Sequence, residues 1–356
     1  MEQRRTQTGL NIPALVQSAG YPRLIITAFL LALMVYAAVL DLPIGQLVSS
    51  ILVRFGMNGI LVLAMIPSIQ SGTGPNFGIS LGIVCGLVAA TLSIELDLVG
   101  LAAFFFAVAV SAILGSLVGY VYGLLLNRVK GQEMTVGTYT GFSVVSLMCV
   151  FWLMAPYKSP EMIWPYGGEG LRVTITLQNR FDKVLNELLA FDVVGVRIPT
   201  GLLIFLAICC ALMWVFLRTK TGMAMLAVGS NPRFAASSGI NVDKFRLVGT
   251  VLSTVLGAVG IVVYAQSYGF LQLYTAPLYM PFFAVASILI GGASIKHATI
   301  MQALVGTFLF QALLVVALPV ANEAIANNLS EVIRIILSNG MILYALTRKE
   351  AGGDLG

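Results

Sequence analysis

The chain has 356 residues, of which 58% are hydrophobic and only 10% charged, with a formal net charge of +5. Soluble domains carry roughly 45–50% apolar and about 25% charged residues, so a water-soluble fold of this size is excluded by the apolar surface it would leave uncovered. The basic residues are scattered in short segments between apolar runs and form no patch of the kind nucleic acid requires.

The N-terminal stretch Met1 to Arg23 is polar and mixed, and no small-residue cleavage site follows the first apolar segment, which is therefore expected to remain as a membrane anchor. Runs long enough to cross about 30 Å of hydrocarbon, near 20 residues each, recur ten times. They are Leu24 to Leu40, Leu47 to Ile69, Phe77 to Ile94, Leu98 to Leu126, Met134 to Met154, Ile198 to Leu217, Leu247 to Tyr268, Pro281 to Ile295, Thr299 to Leu318 and Leu329 to Leu346. The second holds Arg54 and Pro67 and the eighth is short, so both are candidates for broken elements. The expected fold is an all-α polytopic membrane protein, one transmembrane domain over 1–356.

Lys and Arg set the orientation. With the N-terminus inside, the inner segments collect thirteen of the twenty basic residues, and an even number of spans returns the tail, 347–356, to the same side. Both termini are thus expected in the cytoplasm, the protein in a bacterial inner membrane with lipid around it.

Between the second and third spans the turn Gln70 to Ser80 is rich in glycine and carries Gln70, Ser71, Thr73 and Asn76. Irregular backbone at membrane depth is tolerated where it is buried in protein or lines a cavity. These four residues, with Gln266 on the seventh span, are candidates for a transport path for a neutral, hydroxyl-rich solute. An ordinary inner turn is the competing reading.

The outer loop, 155–197, contains Arg180 to Phe191, whose apolar residues Phe181, Val184, Leu185, Leu188 and Leu189 follow helical spacing. An amphipathic helix lying flat on the outer surface is expected there. Tyr264, Tyr268, Phe270, Tyr274 and Tyr279 read as an interfacial belt or as a platform on which a sugar stacks. Intramembrane charges are costly and call for a reason: Glu331 and Arg334 share a face of the last span, and Arg54 is within range to join them as an ion pair or as part of a gate.

The four cysteines fall inside apolar runs without metal spacing, and His297 is the only histidine, so neither a metal site nor a catalytic triad is expected. No segment of the form GxxxxGK[ST] occurs, so the chain is not expected to hydrolyse ATP or act as an enzyme.

The longest polar interval on the inner side, 218–246, reads RTKTGMAMLAVGSNPRFAASSGINVDKFR. Ser230 or Asn231 is placed to cap a short helix, Pro232 to occupy its first position, and Gly239 to end it. The helix is expected to put Pro232, Ala235 and Ala236 on one side.

The run of Thr221, Gly222, Ala227, Val228, Gly229, Asn231, Ala235, Gly239, Ile240, Asn241 and Val242 resembles the cytoplasmic loop of permease subunits of ATP-binding-cassette importers. It is similar to the ribose and simple-sugar branch, which includes autoinducer and nucleoside permeases and is related to the branched-chain amino acid permeases. The resemblance is recognisable from Ile198 to Lys349 and is mainly one of hydropathy before that. It implies that Gly229, Ser230, Asn231, Pro232, Arg233, Ala235, Ala236 and Gly239 belong to a coupling helix that docks an ATP-binding subunit. It further implies a second permease copy or paralogue, an extracytoplasmic solute-binding protein, and ATP with Mg held by the partner rather than by this chain. Simple-sugar permeases usually carry a Gly-Gly pair and an Asp-Leu-Ser motif in the turn after the second span, and this chain has no acidic residue there. The competing functions are an ion-coupled secondary transporter, which needs ionisable groups in several spans, and a multispan enzyme, which needs converging Asp, Glu or His.

Overall fold

The computed structural model describes residues 21–163, 171–193, 195–324 and 330–347. Its helices are α1 (Tyr21–Val39), α2 (Ile44–Leu63), α3 (Met65–Gln70), α4 (Ser80–Glu95), α5 (Gly100–Arg128), α6 (Glu133–Met154), α7 (Val184–Glu187), α8 (Thr200–Arg218), α9 (Lys220–Ser230), α10 (Pro232–Ser237), α11 (Val242–Tyr268), α12 (Thr275–Ile290), α13 (Ile300–Ala324) and α14 (Ser330–Thr347). Four three-residue strands form two small antiparallel ladders: β1 (Thr174–Thr176) with β4 (Phe270–Gln272), and β2 (Phe191–Val193) with β3 (Val196–Ile198). The chain is an all-α polytopic membrane protein.

Among the described residues, seven helical segments are long and apolar enough to span a bilayer, and shorter apolar helices stand where the first, eighth and tenth spans are expected. The eighth differs in position. It runs from Thr275 to Ile290 rather than from Pro281 to Ile295, because Gly291 and the left-handed Gly292 (φ +81°) end the helix before the loop that holds His297. The second span is broken as Pro67 requires. Its ring removes the hydrogen bond to Leu63, and the helix is interrupted at Ala64, which keeps α-region dihedrals (φ −60°, ψ −21°), before continuing as α3.

The most intimate packing joins α4, α5 and α11. Gly115, Gly119 and Gly123, at four-residue spacing on α5, lie against Ala258, Thr254 and Leu247 of α11, while Gly82 and Gly86 of α4 sit against the Thr254 and Ala258 carbonyls. Between helices in lipid, where no hydrophobic driving force pulls them together, such small residues allow the close approach that van der Waals contact needs. A second apolar cluster joins α1, α2, α12 and α13 through Ile26, Leu30, Ile51, Ala286 and Phe310.

The outer loop is built into this frame. Arg180 bridges Glu161 (2.8 Å) and Asp97 (2.9 Å), and these carboxylates, Glu161 foremost, hold its guanidinium pKa above the usual value. The expected amphipathic helix is not formed. Only one turn, Val184–Glu187, is helical, with Lys183 and Leu189 at left-handed φ of 52° and 55°. The reason is competition for backbone donors: the Gln266 carbonyl accepts from Lys183 N at 2.7 Å and the Gln266 side chain from Leu185 N at 3.1 Å. Phe181 and Leu185 are buried under the loop, and the segment lies on the bundle rather than flat on a bilayer.

Lys158 in the outer loop and Ser230 at the end of α9 are both exposed. Single cysteines at these positions should react with a membrane-impermeant thiol reagent from opposite faces. Reaction of both from one side refutes the ten-span topology.

Candidate functional site

Three consecutive caps shape the polar interval 219–246. Thr219 accepts from Gly222 N (3.2 Å) to start α9, Asn231 from Phe234 N (3.0 Å) to start α10, and Asn241 from Lys244 N (3.0 Å) to start α11. Sequence reasoning anticipated the second cap but not α9, which holds Lys220 to Ser230 in helix. The Ser230 hydroxyl instead donates to the Ala227 carbonyl (3.0 Å). Gly239, at φ +80°, closes α10, and Ile240 N bonds back to Ala235 O (2.9 Å).

One expectation is overturned here. Ala235 does not share an open side with Pro232 and Ala236; it is fully buried against the protein, because a helix this short, tethered at both ends, must seat one residue on the bundle. The residues left open are Pro232, Arg233, Phe234, Ala236 and Ser237. Phe234 is 67% exposed, a large apolar ring on a polar segment. Sequence reasoning missed it, although its position between Arg233 and Ala235 in a capped helix was the available signal.

Beside α10 an open groove of about 540 Å³ is lined by Lys130, Arg233, Asn241, Asp243 and Arg246 among others. Two ion pairs tie its walls: Lys130 with Asp243 (2.5 Å), and Arg246 with Glu133, the latter pair nearly buried. They link the α5–α6 turn to the first turns of α11.

The turn after the second span lies directly under this assembly. Gly72 and Gly229 pack backbone against backbone, and a Cβ on Gly229 would collide with the Gln70 carbonyl. Gly249 of α11 touches Ser71 and the Pro67 carbonyl in the same way. Gly229→Ala is therefore expected to cost about 1–3 kcal/mol by overpacking, read as a lower thermal midpoint of the purified protein. An unchanged midpoint refutes the contact.

The candidate path residues Gln70, Ser71, Thr73 and Asn76 are all buried and bonded to the protein's own polar groups, with Gln70 Oε1 alone among their side-chain oxygens left without a hydrogen-bond partner. Gln70 Nε2 donates to Ala298 O (2.7 Å), Thr73 Oγ1 to Ser68 O (2.8 Å), Ser71 Oγ to Ser68 O (2.9 Å) and Asn76 Nδ2 to Ser253 Oγ (2.9 Å), while Asn76 Oδ1 accepts from Tyr122 (3.1 Å). Gln266, also buried, ties the outer loop to α11 through Leu185, Asn186 and Ser267. None of the five reaches the surface of the single chain.

Arg54 is exposed on α2 and Arg334 on α14. Both charges act on the Tyr264 hydroxyl of α11, whose ring stacks on Tyr268 at 5.5 Å. The side chain of Glu331 lies outside the described residues, and its pairing with Arg334 with it. Among the described residues no group of three or more His, Cys, Asp and Glu is placed to hold a metal ion.

Residues 47–343 match the family described as the branched-chain amino acid transport system / permease component. The chain is 26% identical over 263 residues to the autoinducer 2 import system permease protein LsrC of Yersinia pestis (strain Pestoides F), covering 72% of this chain and 66% of that one. LsrC of Enterobacter sp. (strain 638) matches at the same identity over 262 residues. A segment of 65 residues is 45% identical to the nucleoside ABC transporter permease protein NupC of Lactococcus lactis subsp. cremoris (strain MG1363), covering 18% of this chain and 20% of that one. The chain thus spans about two thirds of the LsrC relatives and a fifth of NupC.

Proposed function

Because the chain belongs to the branched-chain amino acid transport system / permease component family, we propose that it is the transmembrane subunit of an ABC importer, driven by ATP hydrolysis on a separate subunit. The observation that carries this reading is the family match over residues 47–343, joined to a capped helix, α10, that presents Phe234 and Arg233 outside the bundle. In this scheme the subunit pairs with a second copy or a paralogue, and the solute passes between them. A solute-binding protein delivers the solute to the outer loop, and the termini lie in the cytoplasm of a cell with an inner membrane.

Mechanically, α10 receives the movement of the ATPase. It passes that movement to α3 and the Gln70–Ser80 turn through the Gly229–Gly72 contact, and to α11 through the Asn241 cap and the Arg246–Glu133 pair. A rigid, close-packed contact transmits displacement where a loose one absorbs it. The chain lowers no chemical barrier; it alternates access, while ATP and Mg are held by the partner.

The solute is proposed to be small and hydroxylated, a sugar first, with a nucleoside or a furanosyl signal molecule as the other members of that class; the names of the LsrC and NupC relatives support it. The test is uptake of labelled ribose, adenosine and autoinducer 2 into cells expressing this chain with and without a co-expressed ATP-binding subunit. Uptake that persists without the ATPase refutes the importer reading in favour of an ion-coupled transporter.

A further inference from the structure

We propose that a second copy of this chain docks on the face made by α6 and α14, setting Tyr139 and Ser143 of each copy against Leu343 and Asn339 of the other. The inference rests on the permease reading above and deepens it by naming the surface that the two copies share.

The α6 span does not suit lipid. Of the seven long spans among the described residues it is the least apolar and also the least covered by the rest of the chain, while α8, the most apolar, is nearly as open. A span so open to hydrocarbon belongs among the most apolar ones, unless another protein surface covers it. Its polar residues are not confined to the ends. Thr135, Tyr139, Ser143 and Ser146 follow one another at four- and three-residue steps, which places them in one stripe, and all four are exposed, Tyr139 by 68%. The open side of α8 presents Ile204, Ile208, Leu212 and Val215 instead.

A hydroxyl facing lipid can be satisfied by its own helix. Ser116 on α5 and Ser146 do this, donating to Ala112 O (2.7 Å) and Phe142 O (2.9 Å). Among the described residues Thr135, Tyr139 and Ser143 have no hydrogen-bond partner for their side chains, and neither has Asn339, exposed at the middle of α14. An amide at that depth finds its partner on another helix. Beside it, Gly340 has nothing within 4 Å of where a Cβ would stand, so a helix from outside can approach closely.

Helix α12 packs against both α6 and α14, meeting α6 through Phe282 on Phe142 (6.1 Å), and only its Thr275 and Tyr279, near the outer end, are exposed. A two-fold axis along the membrane normal in front of α12 therefore sets α6 of each copy against α14 of the other, an isologous contact. The depths agree. Ser143 is the eleventh of the 22 residues of α6 and Asn339 the tenth of the 18 of α14, so both lie near mid-membrane. The two helices run in opposite directions, so Tyr139 and Leu343, each four residues toward the inner face, meet in the same way. Hydroxyl and amide each donate and accept, so the stripe and Asn339 complement each other in both halves. The seam then offers neutral polar groups to the hydroxylated solute class proposed above.

The full chain, its four cysteines replaced by alanine, is expressed with an ATP-binding subunit in two tagged forms, one carrying Ser143→Cys and the other Asn339→Cys, and oxidised with copper phenanthroline. A disulfide-linked dimer bearing both tags is expected, and also from Tyr139→Cys with Leu343→Cys, but not from Ile208→Cys on α8 in both forms. In the chain with its native cysteines, Asn339→Leu should weaken self-association by roughly three- to tenfold, read by energy transfer between two labelled forms on dilution in liposomes. No dimer from either pair, as much dimer from Ile208→Cys, a linked species holding a different protein, or unchanged self-association in Asn339→Leu each overturns the proposal. Co-purification of the ATP-binding subunit with the unaltered chain is the independent readout. Its presence alongside any of those results rejects this inference alone, whereas its absence rejects the permease reading.

Discussion

Phe234→Asp should leave the chain in the membrane at its normal level and weaken its association with the ATPase subunit by about 30- to 100-fold. The residue lies on α10, outside every span, and its ring is 67% exposed, so the bundle gains nothing from it. Burying a phenylalanine at an interface is worth about 1.5–3 kcal/mol, and anchors of this kind dominate the energy of docking surfaces. The aspartate forfeits that burial and adds a charge to be desolvated, which brings the loss to the upper part of the range. Co-purification of the ATPase with a tagged chain, and ATP-dependent uptake, are the measurements. Normal values of both in Phe234→Asp reject α10 as the docking element. Ala235→Arg, one position on, should behave differently: it forces a charge into a fully buried site and should deplete the protein itself.

Arg246→Gln should destabilise the subunit by about 3–5 kcal/mol, the cost of stranding one partner of a buried ion pair. Arg246 and Glu133 have side chains only 8% and 13% exposed, and the pair joins the start of α6 to α11 beside the open groove at α10. Gln at 246 keeps most of the volume, so the loss reports charge rather than a hole. Glu133 retains its bond from Gly131 N (2.9 Å) but no longer faces a cation. The double variant Glu133→Gln, Arg246→Gln should regain most of the loss, because no buried charge is left without its opposite. The thermal midpoint of the purified subunit in detergent measures both. Additive losses reject the coupling. The neighbouring Lys130–Asp243 pair is about half exposed and should contribute under 1 kcal/mol.

The helical spans were legible in the sequence because the bilayer imposes one rule, a long apolar run, that needs no tertiary knowledge. The broken second span was legible for the same reason that Pro67 breaks it: the ring acts on its own helix. What was not legible depended on partners distant in the chain. The spacing of Phe181, Val184, Leu185 and Leu188 is that of a helix, yet Gln266, some eighty residues later, takes the donors that a helix would use. The 3.6-residue pattern there records two buried residues, Phe181 and Leu185, rather than three turns of helix.

The site shows the same division. The caps Asn231 and Gly239 act on adjacent residues and were readable; the inward turn of Ala235 depends on where the bundle lies and was not. Gln70, Ser71, Thr73 and Asn76 looked available to a solute because a sequence shows polarity and not what answers it. Ala298 answers Gln70, Ser253 and Tyr122 both answer Asn76, and Ser68 answers Ser71 and Thr73. Arg54 was recognised as a costly charge, but its grouping with Tyr264 and Tyr268 required α2 and α11 to be placed side by side.

The glycine contacts among α4, α5 and α11 bear on how the protein is made. Roughly 110 residues separate the end of α5 from the start of α11, a delay on the order of 10 s at ribosomal speeds of about 5–20 residues per second. During that interval α4 and α5 sit in the membrane with a groove floored by glycine, and Asn76 waits for Ser253. A chain interrupted before Val242 would hold that groove open to lipid indefinitely. The same closeness that makes the finished bundle rigid makes the nascent one dependent on a late arrival.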